Sequence, residues 1–218
     1  MIDRSTLPPT IASALVGALL LGAQVLTPAS LSAQAPPAAA TQRFQVAAEG
    51  NEARYRVREQ LAGVNFPNDA VGATAGVTGQ VVLDGTGRIR ASESSITVDV
   101  AALKSDRDRR DNYVRTRTLE TATHPTVVLV PTELRGLPWP LPASGSITFQ
   151  LVGNLTVRGV TRSTTWDVTL QVDGNALTGT ARTSFTFEDF AMTKPRVPVV
   201  LSVDDTITLE YDLKLVRQ

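Results

Sequence analysis

The side chains with the most chemical potential lie between Lys104 and His124. Arg107, Arg109, Arg110, Arg115 and Arg117 alternate there with Asp106, Asp108 and Asp111. Guanidinium forks suit phosphate and carboxylate groups. Arg109, Arg110 and Arg115 are therefore candidate contacts for an anionic or polar headgroup. The same cluster also reads as a partner-binding surface, or as a solvated helix face neutralised by its own acids. His124 is the only histidine. A Ser-His-Asp set or a histidine-rich metal site would have to use it, and its place before Pro125 at a strand start is a structural one. Cysteine is absent, which excludes disulfides, thiolate catalysis and cysteine metal sites. Glu188-Asp189 and Asp204-Asp205 do not have the spacing of a calcium loop. Asp84-Gly85-Thr86-Gly87 joins two strands and opens no helix, so it is no phosphate loop. No catalytic residue, metal or cofactor is expected. Lys and Arg total 21 and Asp and Glu total 21. With no net charge there is no global field to draw nucleic acid or an anionic surface.

The elements that must position these residues are strands. Ile96, Val98 and Val100 alternate with Thr97, Asp99 and Ala101, a period of two. The pattern then breaks. Ser105 has the chemistry of a helix cap with Asp108 three residues on, and Asp111 and Arg115 have the i,i+4 spacing of a helical ion pair. His124-Pro125 ends the segment. A short helix near residues 106–117 thus interrupts a chain that is otherwise strand. Alternation recurs over 53–61, 74–84, 126–134, 145–158, 161–172, 177–187 and 206–216, with a first strand beginning at Arg43 to Val46. Asp84-Gly85, Gly159-Val160 and Asp173-Gly174 are turn sequences. Pro138, Pro140 and Pro142 make 135–144 a loop. About eight long, hairpin-linked strands predict a closed antiparallel barrel rather than a sandwich, because closure removes exposed edges. An outer-membrane barrel would carry aromatic girdles, and aromatics are 5% of the chain.

Three motifs carry a family resemblance. They are Val98-Asp99-Val100 through Leu103-Lys104-Ser105-Asp106 and Arg109-Arg110-Asp111 to His124-Pro125; the hairpin Gly153-Asn154-Leu155-Thr156-Val157-Arg158-Gly159-Val160-Thr161; and Phe187-Glu188-Asp189-Phe190-Ala191-Met192. Together they resemble the YceI-like family. Tyr113-Val114-Arg115-Thr116 and Thr118-Leu119-Glu120 depart from the usual pattern, as does Ala191 where glycine is usual. The resemblance implies an eight-stranded, lipocalin-like all-β barrel over residues 53–218 and a long-chain lipid or isoprenoid as partner.

An eight-stranded barrel is wide enough for one small ligand or for side chains that fill it. Val128, Val130, Phe149, Leu151, Trp166, Val168, Leu170, Phe185, Leu209, Tyr211 and Leu213 are the candidates to face inward. The same apolar face would serve a filled core or a cavity. The inward Gly79, Gly179 and Ala181 favour a cavity. Arg4, the apolar run Ile11–Leu26 and the small residues up to Ala33 have the three parts of a secretory signal peptide. Residues 1–33 are expected to be that signal and 34–52 a flexible mature N-terminus. The expectation is a periplasmic or secreted protein that carries a polyisoprenoid, quinone or fatty-acid derivative, with transient membrane contact and no nucleic acid. The alternative is an extracytoplasmic interaction module with a filled core that acts through its surface.

Overall fold

A computed structural model describes residues 40–218. The expected signal peptide and the first residues of the expected flexible N-terminus, 34–39, lie outside the described residues. The strands are β1 (Gln42–Val46), β2 (Glu52–Leu61), β3 (Asn68–Thr74), β4 (Val77–Leu83), β5 (Ser95–Asp99), β6 (Lys104–Ser105), β7 (Thr126–Arg135), β8 (Ser144–Val157), β9 (Val160–Asp173), β10 (Ala176–Thr186) and β11 (Val200–Arg217). All pairings are antiparallel. β1 pairs with both β4 and the C-terminal end of β11, while β2 pairs with β3 and the rest of β11. β1–β2 and β3–β4 are thus two bent staves. With β5, β7, β8, β9, β10 and β11 they close a barrel of eight. The expected all-β barrel is what the chain forms. β1 lies within the segment expected to be flexible, so the barrel starts earlier than residue 53. Phe44 is buried there, with the Arg217 guanidinium 5.5 Å over its ring centre.

The helix is shorter than its sequence suggests. α1 (Asp108–Tyr113) runs directly into a π-turn over Val114–Thr118. Ser105 does not cap it. Ser105 is still paired with Gly72 of β3, and its hydroxyl and backbone N–H both donate to Asp111 Oδ1, at 2.6 and 2.8 Å. Asp111 is therefore buried and reaches back from the helix to hold the preceding strand, rather than pairing with Arg115 on an open face. The wide turn swings Arg115 instead towards the Leu103 carbonyl, 3.4 Å from its Nη1.

The strand pairings place two sets of connections at opposite ends of the barrel. One end is closed by the 136–143 loop. Trp139 donates its indole N–H to the Gly85 carbonyl at 3.1 Å and packs on Gly87. The other end is crossed by the 106–125 segment and bordered by the β2–β3 connection, the β8–β9 turn and the run from Phe187 to Val200. The β8–β9 turn needs positive φ at both central residues, Arg158 (50°) and Gly159 (74°), which matches the twist of a two-residue hairpin. It is also clasped. Arg158 donates to Glu120 Oε1 at 2.6 Å and to the Ala191 carbonyl at 3.3 Å, and the His124 ring lies over Gly159. The sole histidine thus packs on a turn.

Candidate functional site

Inside the staves is a cavity of about 680 Å³, within the roughly 300–1,000 Å³ usual for small-molecule sites. Its wall is mainly aliphatic and aromatic. Leu137 and Leu141 lie at the end closed by the proline-rich loop. Phe149, Leu151, Trp166, Val168, Leu170, Leu209, Tyr211 and Leu213, all expected to point inward, line it. Val128 and Val130 do not. Leu129 is paired with the buried Leu155, so Val127 and Leu129 hold the inner face of β7 and their neighbours the outer one. Phe185 shares the face of Leu177 and Ala181, but its ring meets that of Phe190 edge-on at 4.5 Å and stays out of the lining. Ala181 does leave room in the wall. Gly179 serves another purpose, because a side chain there would collide with the Thr169 carbonyl of β9.

Polar groups gather on the side formed by β2 and the α1 segment. Tyr55, Glu59, Arg107, Arg109, Arg110, Tyr113 and Thr118 all line the cavity there. Of the three expected headgroup arginines, Arg109 is exposed and lines the opening. Arg110 is committed elsewhere. Its guanidinium donates to Glu59 Oε1 at 2.6 Å and also to Asp106, and the Arg110 and Glu59 side chains are only 12% and 8% exposed. Burial works against its charge, but the hydrogen bonds to Asp106 and Glu59 outweigh that and raise its pKa. Asp106 is correspondingly lowered by its Arg110 hydrogen bond. Arg115 points at Leu103 and does not line the cavity; Arg107 does.

Burial raises the Tyr55 phenol to about 12, and also raises that of Tyr211, which donates to Asn51 Oδ1 at 2.7 Å. Both phenols are neutral at pH 7. Thr118 is the one side chain of the wall whose polar atom is buried without a partner. A hydroxyl so placed costs free energy until something bonds to it. The sequence offered a signal for Glu59, a carboxylate on the otherwise apolar Ala53–Tyr55–Val57–Leu61 face of β2. It offered none for Thr118, whose orientation depends on the π-turn. Among the described residues no cluster of three His, Asp or Glu side chains could hold a metal ion.

The family model of the YceI-like domain matches residues 44–215. The chain belongs to the YceI-like family. No curated protein sequence matches it. Several solved structures do. A polyisoprenoid-binding domain from Saccharophagus degradans, implicated in plant cell wall breakdown, aligns with a TM-score of 0.62 at 10% identity, covering 80% of this chain and 98% of that one. Burkholderia cenocepacia BcnA aligns at 0.55 with 17% identity, over 78% and 98%. A Campylobacter jejuni YceI protein aligns at 0.54 with 14% identity, over 73% and 90%. At these identities the likeness is one of fold.

Proposed function

We propose that this YceI-like protein is an exported carrier that holds one long-chain amphiphile in its barrel: a polyisoprenoid, a quinone or a fatty-acid derivative. The observation that carries the reading is the cavity of about 680 Å³ with an apolar wall, where a filled core would leave no space. The tail runs towards Leu137 and Leu141. The polar end stays by the α1 segment, where Thr118 offers an unsatisfied hydroxyl and Arg107 and Arg109 offer guanidinium forks. Affinity comes from apolar burial, at roughly 0.8 kcal/mol per CH₂. The binding of polyisoprenoid named for the Saccharophagus domain supports the same ligand class. The protein's part is sequestration, with no covalent step. Export rests on the N-terminal pattern of basic residue, apolar run and small residues ending near Ala33.

Native mass spectrometry of the protein expressed with its leader and purified from the cell envelope tests both parts. The expected result is a mass lacking residues 1–33 and a stoichiometric adduct that organic extraction removes and identifies as a lipid. An apo mass that persists after incubation with isoprenoids, quinones and fatty acids would refute the carrier reading in favour of a surface-acting interaction module.

A further inference from the structure

The large hydrophobic side chains that are exposed among the described residues are Val64, Phe66, Val199 and Leu201, at 41, 78, 59 and 66%. They do not scatter. Val64 and Phe66 sit on the β2–β3 connection, Val199 immediately before β11 and Leu201 at its start. These two tips are joined: the Ala62 N–H donates to the Val199 carbonyl at 3.0 Å, and Leu61 pairs with Val200. Val64 and Val199 also line the cavity, as do Pro195, Val197, Val200 and Val203 beside them. The exposed patch and the cavity wall are therefore one continuous apolar surface that passes out through the opening. Single exposed hydrophobics need no explanation, but a contiguous patch marks a contact site. This one is flanked by arginines. Arg109 and Arg196 make no ion pair among the described residues. Of the acids nearby, Asp205 is held by Lys194 at 2.6 Å, Asp106 by Arg110, and Asp69 by Arg56 and Arg58; Asp108 and Asp204 make no ion pair among the described residues.

We propose that these two tips are a membrane-docking edge: Phe66 and Leu201 insert into the interfacial layer of a bilayer, and the cavity opens directly onto it. This rests on the carrier reading and adds to it the route of loading. A long apolar tail that left the bilayer through water would expose its whole length. With the edge inserted, the tail slides along Val64, Val199 and Val203 without being wetted, while Arg109 and Arg196 face the headgroups. A protein partner seated on the same edge would instead stopper the opening. The edge is small and its charge modest, so the contact is transient, as marginal anchors are.

The test uses the full-length protein with its leader processed, and vesicles of phosphatidylethanolamine and phosphatidylglycerol. Phe66→Asp and Leu201→Asp, singly and combined, alter the edge without touching a residue of the cavity wall. Flotation with vesicles is expected for the wild type and to fall about tenfold or more in the double variant, since a buried large apolar side chain is worth at least that factor. Extraction of a fluorescent fatty acid from the vesicles should slow by a similar factor. Loading of the same probe added from ethanol should be unchanged. Absence of wild-type flotation, or extraction that is equally fast in the double variant, would overturn the docking edge. So would a wild-type dimer that the substitutions dissociate, since the edge would then be covered by a second copy. Failure of the wild type to load from ethanol would instead sink the carrier reading, and flotation would still report on docking.

Discussion

Replacing Arg110 by Met tests whether a buried ion pair holds the α1 segment against the barrel. At 2.6 Å, the Arg110–Glu59 pair gains about 6 kcal/mol of Coulomb energy at an effective dielectric of about 20. Desolvation of two nearly buried ions offsets several kcal/mol of that for each. The net worth of the pair is therefore small, but the cost of removing one member is not. Arg110→Met leaves Glu59 buried at 7% exposure with no cation, which should cost about 3–5 kcal/mol. Glu59→Gln should cost less, about 1–2 kcal/mol, because Arg110 keeps Asp106 and a hydrogen bond to Ser105. Glu59→Met combined with Arg110→Met removes both charges and should come back to within about 2 kcal/mol of wild type. Urea unfolding followed by tryptophan emission reads wild type and these three variants, and Glu59→Met alone, a fifth protein, completes the double-mutant cycle. In a chain of this size 1 kcal/mol is about 2–4 °C in Tm, so Arg110→Met should melt about 10 °C lower. Equal losses for Arg110→Met and Glu59→Gln, or additive losses in the double variant, would refute the reasoning. They would mean that water reaches the pair and that the α1 segment is held by its other contacts.

Ala181→Phe should displace ligand without unfolding the barrel: Ala181 is buried, lines the cavity and is paired with Val168 and Tyr211. Losing even two buried methylene groups of ligand at roughly 0.8 kcal/mol each weakens binding about tenfold, which a fluorescent fatty-acid titration beside a thermal melt would read. Acid should weaken the β2–β3–β11 face. Hydrogen bonds from Arg58 and Arg56 lower the Asp69 pKa, and one from Arg56 lowers that of Glu210. Because their folded pKa values lie below the unfolded ones near 4, their stabilisation is intact above about pH 5 and is lost as pH falls through the folded values. Tm should hold from pH 7 to 5 and drop below about 4, and Glu210→Gln should melt lower at pH 7 with a shallower acid drop.

How much of this was legible depended on local pattern. β8, β9 and β10 alternate cleanly and join through short turns, so their pairing and most inward residues could be read directly. β7 could not: Val127, Val128, Leu129 and Val130 are all apolar, and a strand without alternation does not declare its inner face. Only its register with Leu155 of β8 settles that. The start of β11 was hidden because its pairing with β2 shifts register between Val200 and Ser202 and again between Val203 and Ile207, which breaks the period of two. The α1 segment misled in a different way. Ser105, Asp108, Asp111 and Arg115 are spaced for a capped α-helix with an exposed ion pair. Ser105 belongs to a strand, however, and the turn at Val114–Thr118 is wider than α. Long-range contacts of Asp111 and Arg110 outweighed the local spacing, and with them went the expectation for Arg115.

The family motifs explain why the fold was easier to read than the ligand. His124 of the first motif, the Arg158–Gly159 turn of the second and Ala191 of the third meet at one place. The Arg158 guanidinium joins Glu120 to the Ala191 carbonyl, and His124 covers the glycine. That is a clasp between three connections, and it fixes where the 106–125 segment leaves the barrel. None of Glu120, His124, Arg158, Gly159 and Ala191 lines the cavity. The residues that line the polar side of the cavity include Tyr55, Arg107, Arg109, Tyr113 and Thr118, and Tyr113 lies in the stretch where this chain departs from the usual family pattern. The clasp thus builds the frame, while Tyr55 and the 107–118 segment line the polar side of what it encloses. Ligand preference within the family should accordingly follow the 107–118 segment and not the clasp.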